Sequence, residues 1–278
     1  MSEIDWDTPE IAVRYDKNCD HQFLKGRALV EMMGIATGDT VLDVGCGTGR
    51  QAVYVSWIIG PSGKLTGIDP SSHRIELCRE KFSGNQKADV TFLVGQAEDL
   101  RNIPDQSLDY AYFCSSFHWV DDKSRDLNEI FRVLKPGGKV GMTTLDKDSP
   151  HIMREIVDAI LEKYNVKRTH ERQGGKKRVT ATELHDLFTV AGFTEIIIEP
   201  RYIPRQYRSP EDVMNHLSTQ GGTDYLLKDL PEDTRQKIGD EIKRELNQHQ
   251  GPDGIGFGNI TLFAVATKPD ELCRKPQS

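Results

Sequence analysis

The chain has 278 residues, of which 37% are hydrophobic, and 36 Lys and Arg stand against 43 Asp and Glu for a net charge of -7. That length buries a full core and suits one domain of about the usual upper size, with room for an insertion. The acid excess weighs against DNA or RNA as the target, because an enzyme of nucleic acids presents a basic surface to neutralise phosphates.

Pro9 to Gly34 reads mainly as helix, with Phe23, Leu24, Ala28, Leu29 and Met32 spaced to form one apolar face. It precedes the first strand, so residues 1–39 are expected to form a helical cap over the site. Residues 41–49, Val-Leu-Asp-Val-Gly-Cys-Gly-Thr-Gly, then run an apolar strand into three glycines at every second position and on into a helix. Gly45, Gly47 and Gly49 lack a Cβ, so the backbone turns sharply and can press against a nucleotide-like ligand. The next strand, Leu65-Thr66-Gly67-Ile68-Asp69, ends on an acid about twenty residues beyond the glycines, the separation at which a carboxylate reaches ribose hydroxyls. A dinucleotide loop wants G-x-G-x-x-G, yet Arg50 occupies the third glycine's place. Asp43 would also repel a pyrophosphate, whereas it would receive an ammonium group, directly or through water. A nicotinamide dehydrogenase is therefore disfavoured. S-adenosylmethionine, which carries ammonium and sulfonium charges and no phosphate, fits the same residues.

The D-x-G-x-G-x-G run from Asp43 to Gly49 resembles motif I of the class I S-adenosylmethionine-dependent methyltransferases. Three further segments keep the likeness in order. Gly95-Gln96-Ala97-Glu98-Asp99-Leu100 is similar to that family's adenine loop, Ser107 to Cys114 to its fourth strand, and Leu134-Lys135-Pro136-Gly137-Gly138-Lys139-Val140 to the turn into its fifth. The likeness covers about residues 40–145 and leans towards small-molecule enzymes of the ubiquinone/menaquinone-biosynthesis, trans-aconitate and malonyl-carrier types, which often carry a pair such as His118-Trp119 after strand four. It implies that Asp69 binds ribose, that Gly45 and Gly47 bring backbone to the methionine moiety, that Asp43 anchors its amino group, and that Ala97 and Glu98 flank adenine. Gln96 stands where relatives commonly have Asp, and its amide oxygen can accept the same hydrogen bond. Cys46, Pro70 and Cys114 fall among the cofactor-lining positions. Arg14-Tyr15-Asp16 resembles a Tyr-Asp near the start of many relatives, where the tyrosine closes over the methionine end.

Strands alternating with helices from 40 to 145 imply a parallel sheet covered on both faces, with ligands beyond the strands' carboxyl ends. Met153, Ile156, Val157, Ile160, Leu161 and Tyr164 repeat as an amphipathic helix expected to lie on that sheet. The run from Lys167 to Arg178 is the most basic in the chain and reads as a solvated loop or a flap that attracts an acidic substrate. Gly192 to Glu199 and Asn259 to Thr267 look like the last two strands, too far apart for a hairpin. Between them two helices are expected, one from about Pro210 and one opening Pro231-Glu232-Asp233, whose Ile238, Ile242 and Leu246 form one stripe. The fold expected is α/β, a Rossmann-like class I methyltransferase sheet of seven mostly parallel strands with an antiparallel edge strand, helices on both faces and a helical insertion before the last strand. Its core is residues 40–199 and 257–270, and residues 200–256 are a substrate lid or a homodimer surface.

Methyl transfer is an in-line displacement, so the protein's chief task is alignment, and a base is needed only for acceptors that must lose a proton. His118 is the best placed candidate for a general base, its alternative being to orient or pack the loop, and Trp119 offers an aromatic wall to a sulfonium. His21, His151 and His170 could border the same mouth, and Tyr202 and Tyr207 are candidates for an acceptor pocket. No Asn-Pro-Pro-Tyr-like tetrad follows strand four, which disfavours nucleobase and glutamine methylation. The five cysteines, Cys19, Cys46, Cys78, Cys114 and Cys273, show neither a disulfide framework nor metal-ligand spacing. No apolar run approaches a bilayer span and no signal-peptide pattern is seen, so a cytoplasmic protein with no membrane span is expected. The function expected is S-adenosylmethionine-dependent methylation of a small-molecule acceptor; the alternatives are a non-catalytic sensor or partner subunit that binds the same nucleotide, or an enzyme that methylates protein or RNA.

Overall fold

The computed structural model describes residues 8–83, 88–150, 152–166, 177–219, 227 and 230–270. His151, His170, Cys273 and residues 167–176 of the basic run lie outside the described residues. In chain order the elements are α1 (Pro9–Lys17), α2 (Asp20–Met33), β1 (Thr40–Val44), α3 (Arg50–Ile59), β2 (Lys64–Asp69), α4 (Ser72–Lys81), β3 (Asp89–Val94), β4 (Leu108–Cys114), a 3-10 turn (Phe117–Trp119), α5 (Lys123–Val133) and β5 (Leu134–Leu145). They continue with α6 (Ile152–Lys163), α7 (Ala181–Val190), β6 (Thr194–Tyr207), α8 (Pro210–Thr219), α9 (Glu232–Asn247), β7 (Gln250–Gly251) and β8 (Gly254–Thr267). The chain groups into two compact units, one of residues 1–147, 177–201 and 261–278, the other of residues 148–176 and 202–260.

The sheet order is β3-β2-β1-β4-β5-β8-β6, with the short β7 paired to β8. β1 pairs parallel with β2 and β4, β2 with β3, and β4 with β5. β8 runs antiparallel to β5, from Lys139 opposite Thr267 to Leu145 opposite Thr261. The antiparallel strand thus sits one place in, and β6 forms the edge.

Both faces of the first unit's sheet are covered, and the strand period of two sorts its residues between them. Leu42 and Val44, Ala111 and Phe113, and Val140 and Met142 share one apolar cluster with Leu127 and Ile130 of α5 and Leu184 and Phe188 of α7. On the other face, Gly141 leaves space that Met33 of α2 fills, since a Cβ there would meet its sulfur at 2.3 Å. The buried stripe of α2 is not the one that hydrophobicity indicates. Leu24 is 59% exposed, while Lys25, Gly26, Leu29, Val30 and Met33 are buried. A glycine scores as nothing on an apolar scale, yet it admits the closest approach, and Gly26 sets the face that α2 turns inward.

The second unit has its own core. Met153, Val157, Ile160 and Leu161 of α6 share an apolar cluster with Val213, Ile238, Ile242, Leu246 and Ile255. Glu241 of α9 accepts from Lys163 at 2.5 Å and from the Tyr164 hydroxyl at 2.9 Å. The cluster of α6 thus joins α9 and the ends of β6 and β8, through Tyr207, Ile255 and Phe257. Helical periodicity reports that one face is buried and carries no record of what buries it. No helix among the described residues is long and apolar enough to cross a membrane.

The observed register of α2 predicts two unequal effects in urea unfolding. Leu29→Ala, at a fully buried site, should cost about 2–5 kcal/mol, whereas Leu24→Ser should change stability by no more than about 0.5 kcal/mol.

Candidate functional site

The carboxyl ends of β1, β2 and β4 meet at one edge of the parallel sheet. Beyond Val44 the chain turns at once, and the N–H groups of Gly45 and Cys46 both donate to the Ile68 carbonyl, at 2.8 and 2.9 Å. Gly47 follows at φ 56°, in the left-handed region that favours glycine. Protein atoms also lie close to these glycines. A Cβ on Gly45 would come 2.4 Å from that of Ser116, and one on Gly47 would come 3.3 Å from the Tyr15 ring.

Asp69, at the end of β2, fastens this loop. Its two carboxylate oxygens accept from the N–H of Gly47 at 2.9 Å and of Ser71 at 3.0 Å, joining the glycine turn to the start of α4. Its carbonyl accepts from Gly95 at 3.1 Å, which sets residues 95–98 beside it. Pro70 and Gln96 are exposed on this rim, Glu98 is half-buried and Ala97 is buried.

The N-terminal helices close on the loop from above. Tyr15 lies over Gly47, and the Arg74 guanidinium stacks 4.5 Å from the Tyr15 ring. Asp16 accepts from the Thr48 hydroxyl at 2.5 Å and pairs with Lys81, whose ammonium also donates to the Thr48 carbonyl at 2.7 Å. Burial opposes ionisation of Asp16, but the bonds from Lys81 and Thr48 outweigh it and hold the carboxyl below its ordinary range. Arg50, the residue that replaces a third glycine, pairs with Asp20 at 2.5 Å and stacks on Phe23. It fastens α2 to the start of α3.

Beneath this cover is a cavity lined by Tyr15, Asp43, Gly45, Cys46, Gln51 and Cys114 among others. Asp43 is 1% exposed. Its register partner on β4 is Tyr112, so the two side chains are neighbours on one face. Neither the Asp43 oxygens nor the Tyr112 hydroxyl makes a hydrogen bond of ordinary geometry with any described residue. Burial pushes the Asp43 carboxyl up from 3.8 to about 7, the Tyr112 hydroxyl relieves it in part, and the charge of Asp69 adds to the rise. The Cys114 thiol donates to the Gln22 carbonyl at 3.3 Å and is pushed up to about 12, first by burial and then by Asp43. A buried carboxylate with no hydrogen-bond partner among the described residues fits an ammonium ligand and repels a phosphate. That is the polarity the S-adenosylmethionine methionine end requires.

Sequence reading missed Gln51, Gln22 and Gly26. Both amide atoms of Gln51 and the Gln22 amide oxygen are buried without a partner among the described residues, an arrangement that costs about 1–3 kcal/mol for each such group. Gly26 costs α2 about 1 kcal/mol relative to alanine. An interior glycine in an otherwise good helix was the available signal, but it named no partner.

His118 follows β4 as expected, in the 3-10 turn. Ser115, at φ 57°, donates its N–H to the Thr143 hydroxyl at 3.0 Å, and the Ser116 hydroxyl donates to the Val44 carbonyl at 2.5 Å. Phe117 packs edge-on against Phe113, with centroids 5.3 Å apart. His118 is 5% exposed, its carbonyl accepts from the N–H of Lys177 at 2.9 Å, and its ring lies 5.2 Å from the more exposed Trp119. It is not among the residues that line the Asp43 cavity. Among the described residues no group of three His, Cys, Asp or Glu is disposed to hold a metal.

A stability test follows from Asp43. Its raised pKa means that it places no burden on the fold below about pH 4, an increasing one as pH rises towards 7, and a constant one of up to about 4 kcal/mol above that. Asp43→Asn should therefore melt higher than the parent at pH 8, by roughly 5 °C or more, and no higher at pH 4. An equal gain at both pH values would overturn the assignment.

Comparison with known proteins places this geometry. Residues 42–142 match the family model of the methyltransferase domain. The chain is 36% identical over 141 residues to O-methyltransferase rstn1 of Aspergillus nomiae, across 50% of this chain and 61% of that protein. It is 35% identical over 123 residues to the demethylmenaquinone methyltransferase of Listeria monocytogenes, across 44% of this chain and 51% of the other. The chain thus spans about half the length of these curated relatives. Among solved structures, phosphoethanolamine N-methyltransferase 2 of Haemonchus contortus in complex with S-adenosyl-L-methionine superposes with a TM-score of 0.60 at 17% identity, covering 97% of this chain and 61% of that one. At that identity the likeness speaks to the fold. The glycine loop and strands β2, β3 and β4 fall within residues 42–142, the part of the chain that matches the methyltransferase domain.

Proposed function

We propose that the chain transfers a methyl group from S-adenosylmethionine to a small-molecule acceptor, at an oxygen, carbon or nitrogen centre, by in-line displacement. The observation that carries the reading is the buried carboxylate of Asp43, without a hydrogen-bond partner among the described residues, beneath a glycine loop that Asp69 and Tyr15 hold from either side. When bound, the nucleotide supplies a methyl group on a positively charged sulfur. Asp43 holds its ammonium. Tyr15 and the backbone of Gly45, Cys46 and Gly47 enclose its methionine portion together with Cys114. Asp69 and Pro70 meet the ribose, and Gln96, Ala97 and Glu98 meet the adenine. His118 faces the acceptor as general base or as a hydrogen-bond donor to it, with Trp119 as a wall.

The names of the relatives, an O-methyltransferase and a demethylmenaquinone methyltransferase, support a small organic acceptor. Acceptor choice is assigned to the unit of residues 148–176 and 202–260, because the family match ends at residue 142. The reading is tested by calorimetric titration with S-adenosylmethionine, S-adenosylhomocysteine and NAD. Micromolar binding of the sulfur nucleotides with silence from NAD is expected, and a turnover screen beginning with carboxylates and phenols then separates an enzyme from a sensor.

Two predictions are specific to the residues named. The affinity for S-adenosylhomocysteine should rise as pH increases through about 7, because below that pH Asp43 takes up a proton and its pull on the ammonium is lost. A flat profile from about pH 5.5 to 9.5 would sink the Asp43 assignment. Asp69→Ala should weaken binding of the same ligand more than tenfold. It should also lower stability by about 1–3 kcal/mol, because the N–H groups of Gly47 and Ser71 lose their acceptor; unchanged stability would contradict the loop-fastening role.

A further inference from the structure

Gln51, in the first turn of α3, is 6% exposed, lines the Asp43 cavity, and has no hydrogen-bond partner for either amide atom among the described residues. The Gln22 amide oxygen, from α2 on the same cavity, is in the same condition. The packing is arranged around the Gln51 amide rather than left loose. A Cβ on Gly26 would come 2.3 Å from the Gln51 amide oxygen and 2.7 Å from the Cys114 sulfur, so α2 carries glycine where any side chain would displace that amide.

The chemistry of the cavity explains why an amide stands there. Asp43 favours an ammonium but repels the carboxylate that an amino acid carries beside it. An arginine or lysine at position 51 would pair with Asp43 and cancel the attraction. A neutral amide does neither, and whichever way it is turned it presents one donor and one acceptor, the pair of contacts an amino-acid zwitterion needs. The adjacent Arg50 also lines the cavity, and its guanidinium is paired with Asp20. Lys25, buried on α2, contributes positive potential at Cys114.

Resting on the donor-site reading above, we propose that Gln51 is the positioning residue for the amino-acid end of the donor. Its amide N–H bonds the ligand's carboxylate while Asp43 holds the ammonium, and the Gln22 amide oxygen accepts a second ammonium proton. Gln51 thereby makes the site selective for the complete amino acid over nucleosides that lack it.

The experiment compares three ligands on the full chain by titration or displacement: S-adenosylhomocysteine, its decarboxylated analogue, which keeps the amine, and 5′-methylthioadenosine, which has neither group. Gln51→Leu, of similar size, should bind S-adenosylhomocysteine at least tenfold more weakly and the other two within twofold of the parent. Gln51→Glu should weaken S-adenosylhomocysteine further, because a second carboxylate then opposes its own, and should leave 5′-methylthioadenosine within twofold. The proposal is overturned if both variants bind S-adenosylhomocysteine within twofold of the parent, or if all three ligands weaken equally, which marks Gln51 as packing. Failure of the unaltered chain to bind S-adenosylhomocysteine or 5′-methylthioadenosine would instead bring down the donor-site reading itself, and this inference with it.

Discussion

The carboxylate of Asp69 accepts from two backbone N–H groups, one in the glycine turn and one at the start of α4, and that double bond of attachment fixes the geometry on which the site depends. A turn with residues at positive φ has few internal hydrogen bonds, and its donors must be satisfied from outside. Asp69 supplies that from the neighbouring strand, because β1 and β2 are parallel and in register, ending side by side. Everything above the turn is then referred to it: Tyr15 rests on Gly47, Asp16 holds Thr48, and Arg50 fastens α2.

Beneath the turn the structure keeps polar groups that folding alone would not select. Asp43, Tyr112 and Gln51 are buried among residues that could have been apolar, and each leaves hydrogen-bonding capacity unused among the described residues. Burial of unsatisfied polar groups lowers stability, so the grouping of Asp43 and Gln51 on one cavity, with Tyr112 the register partner of Asp43, is more informative than any one of them. Neighbouring surfaces show the opposite pattern, with Asp16, Arg50 and Lys81 all paired.

Much of this was legible in the chain. The spacing of Asp43, Gly45, Gly47 and Asp69 fixes a strand, a tight turn and a second strand end, and the structure assembles them at one edge. Interior contacts of helices were not. Leu24 lies on an apolar stripe of the expected period, yet it faces outward. Periodicity measures amphipathic character along one element and contains no information on its partner. Gln51 was invisible for a related reason: a glutamine early in a helix is ordinary on any scale, and only the glycine opposite it, twenty-five residues away in the chain, shows that its position matters. The roles of His118 and of the second unit involve a molecule whose shape the sequence does not record.

The clasp of Asp16 and Lys81 over Thr48 has a kinetic meaning. If nucleotide enters and leaves on the side that Tyr15 covers, the clasp must open at each exchange. Its ion pair is partly exposed, and such pairs weaken as salt screens them. On the function proposed above, release of spent nucleotide is then expected to quicken as ionic strength rises.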